Sequence, residues 1–166
     1  MRKILTYPDP VLKIPAKEVK EITKQIKELA EEMATVMYEN KGIGLAAPQV
    51  GESISVITVD ITGSKQEDLM VLVNPKILQK EGVIEYEEGC LSLPGFKANI
   101  KRAKKIEVQA LELNGKQKVF WAEDVLAVCI QHEIDHLKGK LLLDHVGRLK
   151  RQLYEKKIKK WKKSSK

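Results

Sequence analysis

Residues 131–139 read Gln-His-Glu-Ile-Asp-His-Leu-Lys-Gly, so that His132, Glu133 and His136 form an H-E-x-x-H pattern. On a helix, positions four apart lie about one turn apart on the same face, and two imidazoles at 132 and 136 can grip one metal ion from one side. Glu133 sits next to the first ligand, where its carboxylate can reach an acidified water without binding the metal itself. The chemistry these residues imply is metal-assisted hydrolysis. The pattern is short, and its plain alternative is a helix that happens to carry two surface or core histidines.

A metallohydrolase needs a third ligand. One peptidase class extends the pattern to H-E-x-x-H-x-x-G-x-x-H; this chain follows it through Gly139 and then has Leu142 where the histidine belongs. His145 comes three residues too late for that register and reads as a surface or packing histidine. Glu155 stands alone among lysines, as a solvated ion-pairing residue does. Upstream, Glu88-Gly89-Cys90-Leu91-Ser92 places a cysteine straight after a glycine at a strand end. A thiolate and two imidazoles suit zinc or iron and leave a fourth position open for water, as a catalytic site requires. Cys129 competes, since a closed site of two cysteines and two histidines would be structural. It precedes His136 by seven residues, about 10.5 Å along a helix axis, too far for so short a side chain to share the metal. Cys129 is expected instead to line a pocket wall as a small apolar residue.

Several elements must hold these groups. Ile22, Ile26, Leu29, Ala30, Met33, Val36 and Met37 recur at helical spacing and predict an amphipathic helix over 21–40. Lys41 to Gln49 forms a loop whose Gly42 and Gly44 allow close backbone approach. Strands are predicted over Ile54–Asp60, Met70–Asn74, Val83–Glu87, Ile106–Leu113 and Lys118–Trp121. Gly63–Asp68 reads as a polar surface loop, and Asn114-Gly115 as a type I′ hairpin turn. The metal-binding helix should start at Glu123 or Asp124 and stop at Gly139. Leu149, Leu153, Ile158 and Trp161 give the tail a third helix over about 148–163, with its last few residues frayed. Strand runs followed by a core helix predict an α+β fold, in which bent, largely antiparallel sheets pack around the central metal-binding helix, flanked by the N-terminal amphipathic and C-terminal basic helices.

With 166 residues the chain can bury a sizeable core without disulfides, and its two cysteines make no disulfide framework. No apolar run approaches the roughly 20 residues needed to cross a bilayer, and no secretory signal is visible. A reducing, cytoplasmic location is expected. The net charge of +7 is unevenly spread: residues 148–166 carry ten Lys or Arg against the single acid Glu155, while the body has 20 basic and 22 acidic residues. The expected division is a catalytic domain over 1–147 and a basic tail over 148–166. A polyanionic partner would meet the tail rather than the active site.

Three separated segments, Gly42-Ile43-Gly44-Leu45-Ala46-Ala47-Pro48-Gln49, Glu88-Gly89-Cys90-Leu91-Ser92 and Gln131-His132-Glu133-Ile134-Asp135-His136-Leu137, closely resemble the signature motifs of the peptide deformylase family. The opening Tyr-Pro-Asp-Pro-Val-Leu resembles that family's start, and the likeness runs from about residue 3 to Leu149. The resemblance implies a substrate, the N-formyl-methionine end of a new polypeptide, and two products, formate and a free amine. It implies Cys90, His132 and His136 as ligands to one divalent metal, ferrous iron in preference to zinc, with Glu133 as the general base. It adds Gln49 and the Leu91 backbone N–H as donors to the oxyanion. It places Ile43, Gly44, Tyr86, Gly89, Val125, Val128 and Cys129 against the substrate, and it makes Glu88 and Arg102 candidates for a buried ion pair bracing the Cys90 strand. Asp124 stands where relatives often have glycine, which bears on how the metal helix begins. Lys97 and Lys101 stand where they often have arginine and proline, a departure at positions the resemblance ties to the substrate backbone downstream of methionine.

Two rivals remain at this stage. A zinc peptidase would use the same helix on unformylated peptides. An RNA-binding module with a structural metal would work through its basic tail. For the enzyme reading, the tail implies a contact with ribosomal RNA near the emerging chain, or simply a solubilising surface; neither membrane nor DNA is expected as a partner.

Overall fold

The computed structural model describes residues 2–164; the fraying expected at Ser165 and Lys166 lies outside the described residues. In chain order the elements are α1 (Lys24–Glu39), β1 (Gly44–Ala46), β2 (Val56–Val59), β3 (Met70–Glu81), β4 (Ile84–Cys90), β5 (Leu93–Arg102), β6 (Lys105–Leu111), β7 (Gln117–Glu123), α2 (Asp124–Leu137) and α3 (Arg148–Ser164), with short 3-10 turns between some of them. The fold is α+β, as the pattern predicts.

Five strands form one antiparallel sheet in the order β1-β2-β3-β6-β7, and β4 pairs with β5 in a separate two-stranded sheet. β3 runs seven residues past the predicted end at Asn74. Pro75 reads as a breaker in sequence, but the strand absorbs it with a register shift between Val73 and Lys76. Asn74 takes a positive φ of 51° there, and its side-chain amide brackets the Val19 backbone through two 2.8 Å hydrogen bonds. β5 was not predicted at all: Pro94 and Gly95 at its start hide the alternation by which Phe96, Ala98, Ile100 and Arg102 face inward. The turn between β6 and β7 is also not type I′. Only Gly115 has positive φ, at 85°, and Glu112 accepts from Gly115 N–H at 2.9 Å, whereas type I′ needs two left-handed residues.

Thr23 caps α1, accepting from Ile26 N–H at 3.3 Å, which starts the helix three residues later than its apolar spacing suggests. Leu29, Met33, Val36 and Met37 are buried against β1 and β2. At the other end Lys41 occupies the left-handed C′ position, φ 58°, and Gly42 N–H returns to Met37 O at 2.9 Å. The chain therefore leaves α1 in a fixed direction and delivers Ile43 and Gly44 to the site.

α2 is sandwiched. Ala127, Ile130 and Ile134 pack on Ile57, Val59, Leu72, Ile106 and Val108 of the large sheet, and the whole run from Ala127 to Glu133 is buried. α3 docks differently from expectation. Tyr154 and Ile158 are its buried residues, set among Leu93, Phe96 and Leu141–Leu143, while Leu149 and Leu153 are 71% and 58% exposed. Tyr154 takes the inward position beside Leu153, so the docking face lies one residue round from the predicted one.

Candidate metal centre and substrate pocket

Cys90 is the last residue of β4, and His132 and His136 sit one turn apart on α2. Their ligating atoms all lie within 4.8 Å of one another: Cys90 Sγ is 3.3 Å from His136 Nε2, which is 3.3 Å from His132 Nε2. A register shift in the β4–β5 ladder between Gly89 and Cys90 turns the thiol toward the helix. His132 Nδ1 lies 3.0 Å from Glu88 Oε1, which leaves Nε2 for the shared point.

Arg102 grips Glu88 with both arms, Nε to Oε2 at 2.6 Å and an Nη to Oε1 at 2.9 Å, and donates at 3.0 Å to Asp135. This is the buried ion pair considered from sequence, and it does more than brace the strand, because Glu88 also orients His132. Asp135 serves Arg102 and His145, at 3.0 and 2.8 Å, and not a ligand imidazole. His145 is thereby a tether between the chain after α2 and the helix itself. Glu155 accepts from Tyr7 at 3.1 Å and pairs with Arg151. Burial opposes ionisation of Glu88, but hydrogen bonds from His132 and Arg102 outweigh it and hold the carboxyl below its usual range.

The donor set fits a cation. Burial disfavours charge on His132, yet Glu133, Cys90 and Glu88 around it prevail and raise its pKa well above the ordinary value, so the surroundings favour positive charge at this spot. Burial and the neighbouring His132 push His136 the other way, toward the neutral imidazole a metal ligand must be. Glu133 is buried, and among the described residues its Oε1 has no hydrogen-bond partner. Burial lifts its pKa to about 7, the range a general base needs.

Gln49 is held on both sides of its amide. Oε1 accepts from Ala46 N–H at 3.0 Å, and Nε2 lies 3.0 Å from Ser92 Oγ and 3.6 Å from Cys90 Sγ. The amide thus points at the Cys90 thiol of the candidate donor set, with Leu91 in the turn just after Cys90. The glycines of the loop after α1 are packing glycines: neither is left-handed, but a Cβ on Gly42 would meet Leu91 Cδ1 at 2.9 Å, and one on Gly44 would collide with Glu133 and with Cys129 Sγ. Cys129 stays outside the donor cluster. Its thiol donates to Ile43 O at 3.4 Å, and burial raises its pKa well above the usual value.

A cavity of about 640 Å³ opens beside these groups, lined by Ile43, Gly44, Tyr86, Gly89, Val125, Val128 and Cys129, all seven of the substrate positions carried over by resemblance. Leu93, Phe96, Lys41 and Lys97 also line it, beyond the substrate positions that the resemblance implies. For Phe96 the missing signal is the unpredicted strand β5.

The sequence profile of polypeptide deformylase matches residues 1–152. The chain belongs to that family. It is 49% identical over 164 residues to the peptide deformylase of Buchnera aphidicola, covering 99% of this chain and 94% of the relative. It is likewise 49% identical to that of Desulfotalea psychrophila, with 96% and 95% covered. The fold superposes on a peptide deformylase from Legionella pneumophila with a TM-score of 0.93 at 41% identity, covering 99% of this chain and 97% of that one. A peptide deformylase from Ehrlichia chaffeensis in complex with actinonin gives 0.91 at 35% identity, with 96% of each chain covered. Members of the polypeptide deformylase family are metal-dependent hydrolases acting on nascent polypeptides, which excludes the RNA-binding module as the chain's main role and sets aside the peptidase. The family departure at the start of α2 has a local meaning. Asp124 has a φ of 54°, a conformation that glycine adopts without strain, while its N–H is fixed by Lys104 O at 2.9 Å.

Proposed function

We propose that this chain removes the formyl group from the N-formyl-methionyl end of new polypeptides, with Cys90, His132 and His136 holding one divalent metal. The observation that supports this is the meeting of one thiol and two imidazoles within 4.8 Å, beside a buried carboxylate and an apolar cavity. When bound, the metal supplies a Lewis acid that acidifies water and polarises the formyl carbonyl. A thiolate lends it more charge than an imidazole would; one thiolate and two imidazoles suit iron or zinc alike, and the family resemblance favours ferrous iron.

Glu133 accepts a proton from water as the water oxygen bonds to the formyl carbon. The oxyanion that develops receives hydrogen bonds from Gln49 Nε2 and the Leu91 N–H; a donor of this kind is worth about 10²–10³ in rate. The carbon–nitrogen bond then breaks, Glu133 passes its proton to the departing amine, and formate leaves. The methionine side chain occupies the slot between Ile43, Tyr86, Val125, Val128 and Cys129, where burial of an unbranched side chain contributes about 1.5–3 kcal/mol. Gly44 and Gly89 keep the two walls thin enough for an extended peptide to pass.

The test is Glu133→Ala on metal-loaded protein. Turnover of formyl-Met-Ala should vanish while metal content stays near one per chain; retained deformylation would refute the role of Glu133. Metal analysis of protein purified without oxygen, set against turnover, decides between iron and zinc.

We further propose a cytoplasmic enzyme whose tail, residues 148–166, meets ribosomal RNA. None of the described helices is long and apolar enough to cross a membrane. α3 presents a dense row of lysines on the side away from Tyr154 and Ile158, so phosphate is the natural partner, and binding should weaken steeply with salt. Cosedimentation with ribosomes at low salt, lost on replacing Lys156, Lys159, Lys160 and Lys163 by Glu, is the expected result.

A further inference from the structure

The mouth of the substrate cavity carries two lysines that no other charge satisfies. Lys41 and Lys97 both line it, both are exposed, and among the described residues neither forms an ion pair. Each springs from an ordered stretch of backbone. Lys41 sits at the left-handed end of α1, where the Gly42 N–H bond to Met37 O fixes the backbone on either side. Lys97 is the register partner of Gly89, and its stem lies over that glycine, with Cγ 3.8 Å from where a Cβ would be. Gly89 immediately precedes Cys90, so the Lys97 stem lies along the cavity wall next to the candidate metal donors.

Three acids share the lining. Glu88 is committed to Arg102 and His132, and Glu133 is buried at the chemistry, leaving Glu87 as the one acid free to answer two lysines. Glu87 is opposite Asn99 in the ladder, two residues along from Gly89. The mouth is therefore net positive although the body outside the tail is slightly acidic.

An extended peptide advances about 3.3 Å per residue and turns alternate side chains to the same side. With the formyl carbon at the metal donors and the first side chain in the slot, the third side chain returns to the cavity side at its mouth. We infer that Lys41 and Lys97 make this enzyme select substrates with an acidic third residue over those with a basic one. The inference rests on the deformylase reading and adds a sequence preference to it. The interaction is between exposed groups, so its size is that of surface ion pairs and it is screened by salt.

The experiment compares formyl-Met-Ala-Asp, formyl-Met-Ala-Ser and formyl-Met-Ala-Lys on the metal-loaded full chain. At low salt kcat/KM should fall in that order, with Asp over Lys by about three- to tenfold, the size expected of two exposed pairs. The difference should lie in KM, with kcat nearly constant, and should shrink at 0.5 M salt (about a 4–5 Å screening length). Lys97→Gln should reduce the preference and the Lys41→Glu, Lys97→Glu double variant should invert it. Equal kcat/KM for the three peptides, a preference for Lys, or a ranking unchanged in the double variant overturns the inference while leaving deformylation intact. Absence of turnover on all three would instead remove the deformylase reading on which it stands.

Discussion

The Glu133 carboxylate lies against the α-carbon of Gly44, in the space a methyl group would fill. One comes from the core helix and the other from the first strand after α1, so the proposed general base is positioned by contact between two distant segments as well as by its own helix. Cys129 Sγ borders the same space.

Gly44→Ala should therefore displace Glu133 without touching a metal donor. Misplacement of a catalytic group by about an ångström can cost 10²-fold, and kcat should fall by about that factor. Metal content should stay at the wild-type level, and circular dichroism should show an unchanged fold. A variant with normal kcat would mean that Glu133 is not confined as described.

The ladder from His132 through Glu88 and Arg102 to Asp135 makes a second prediction. Glu88 and Arg102 are both almost fully buried, so removing either leaves an uncompensated charge. Glu88→Ala and Arg102→Ala should each cost about 3–5 kcal/mol in stability. Glu88→Gln, which keeps an acceptor for His132, should fold better than Glu88→Ala. It should still lose about 10- to 100-fold in metal affinity, measured by competition with a chelator, because the carboxylate makes the imidazole a stronger ligand.

The meeting of Cys90, His132 and His136 is legible in the sequence. The donor triad needed only the four-residue spacing on a helix and a cysteine at a strand end, both of which are local signals. The 10.5 Å argument likewise kept Cys129 out of the metal set. What the sequence concealed were relations between segments. Phe96 reaches the cavity from a strand whose opening Pro94-Gly95 reads as a turn, and its alternation with Ala98 is weak because alanine is a poor marker of an inward face. The second half of β3 was lost because Pro75 looks like an end, while the structure spends a bulge on it. The double role of Glu88 could not be read from a pair of family positions, since it depends on His132 of α2 meeting Glu88 of β4. The docking face of α3 was misjudged through Leu153, because in a lysine-rich helix both Leu153 and Tyr154 are plausible anchors, and only the partner surface at Phe96 and Pro94 chooses between them.

A third prediction concerns acid. Asp60 is fully buried and accepts from Tyr38 Oη at 2.6 Å, Thr62 Oγ1 at 2.6 Å and Thr62 N–H at 2.9 Å. Burial alone would raise its pKa, but these bonds outweigh burial and lower it. A carboxyl whose pKa is lower in the folded state stabilises the fold above the unfolded value of about 3.9, and that contribution fades as pH falls through the folded value. The denaturant midpoint should accordingly drop as pH is taken below about 4, and Asp60→Asn should be less stable at neutral pH with a flatter acid limb. Parallel limbs in the two proteins would show that Asp60 is not the group responsible. Tyr38, raised to about 12 by burial and by Asp60, keeps its proton throughout and remains the donor.

The last prediction comes from the first residue of α2. Asp124 holds φ at 54°, which costs an L-residue about 1–2 kcal/mol, less for Asp than for most. Its carboxylate recovers part of that by facing the positive end of the helix dipole, about 0.3–1 kcal/mol. Asp124→Gly removes the strain and the dipole interaction together, and it also loosens the unfolded chain, so its stability should lie within about 1 kcal/mol of the parent. Asp124→Ala keeps the strain and loses the charge, and should be the less stable of the two variants by about 1 kcal/mol. Thermal melts of the three proteins give the order directly. Alanine matching glycine there would show that the left-handed start is not maintained in solution. Because Val125 and Val128 follow within one turn and line the cavity, the alanine variant should also raise KM for formyl-Met peptides while glycine leaves it near the parent value.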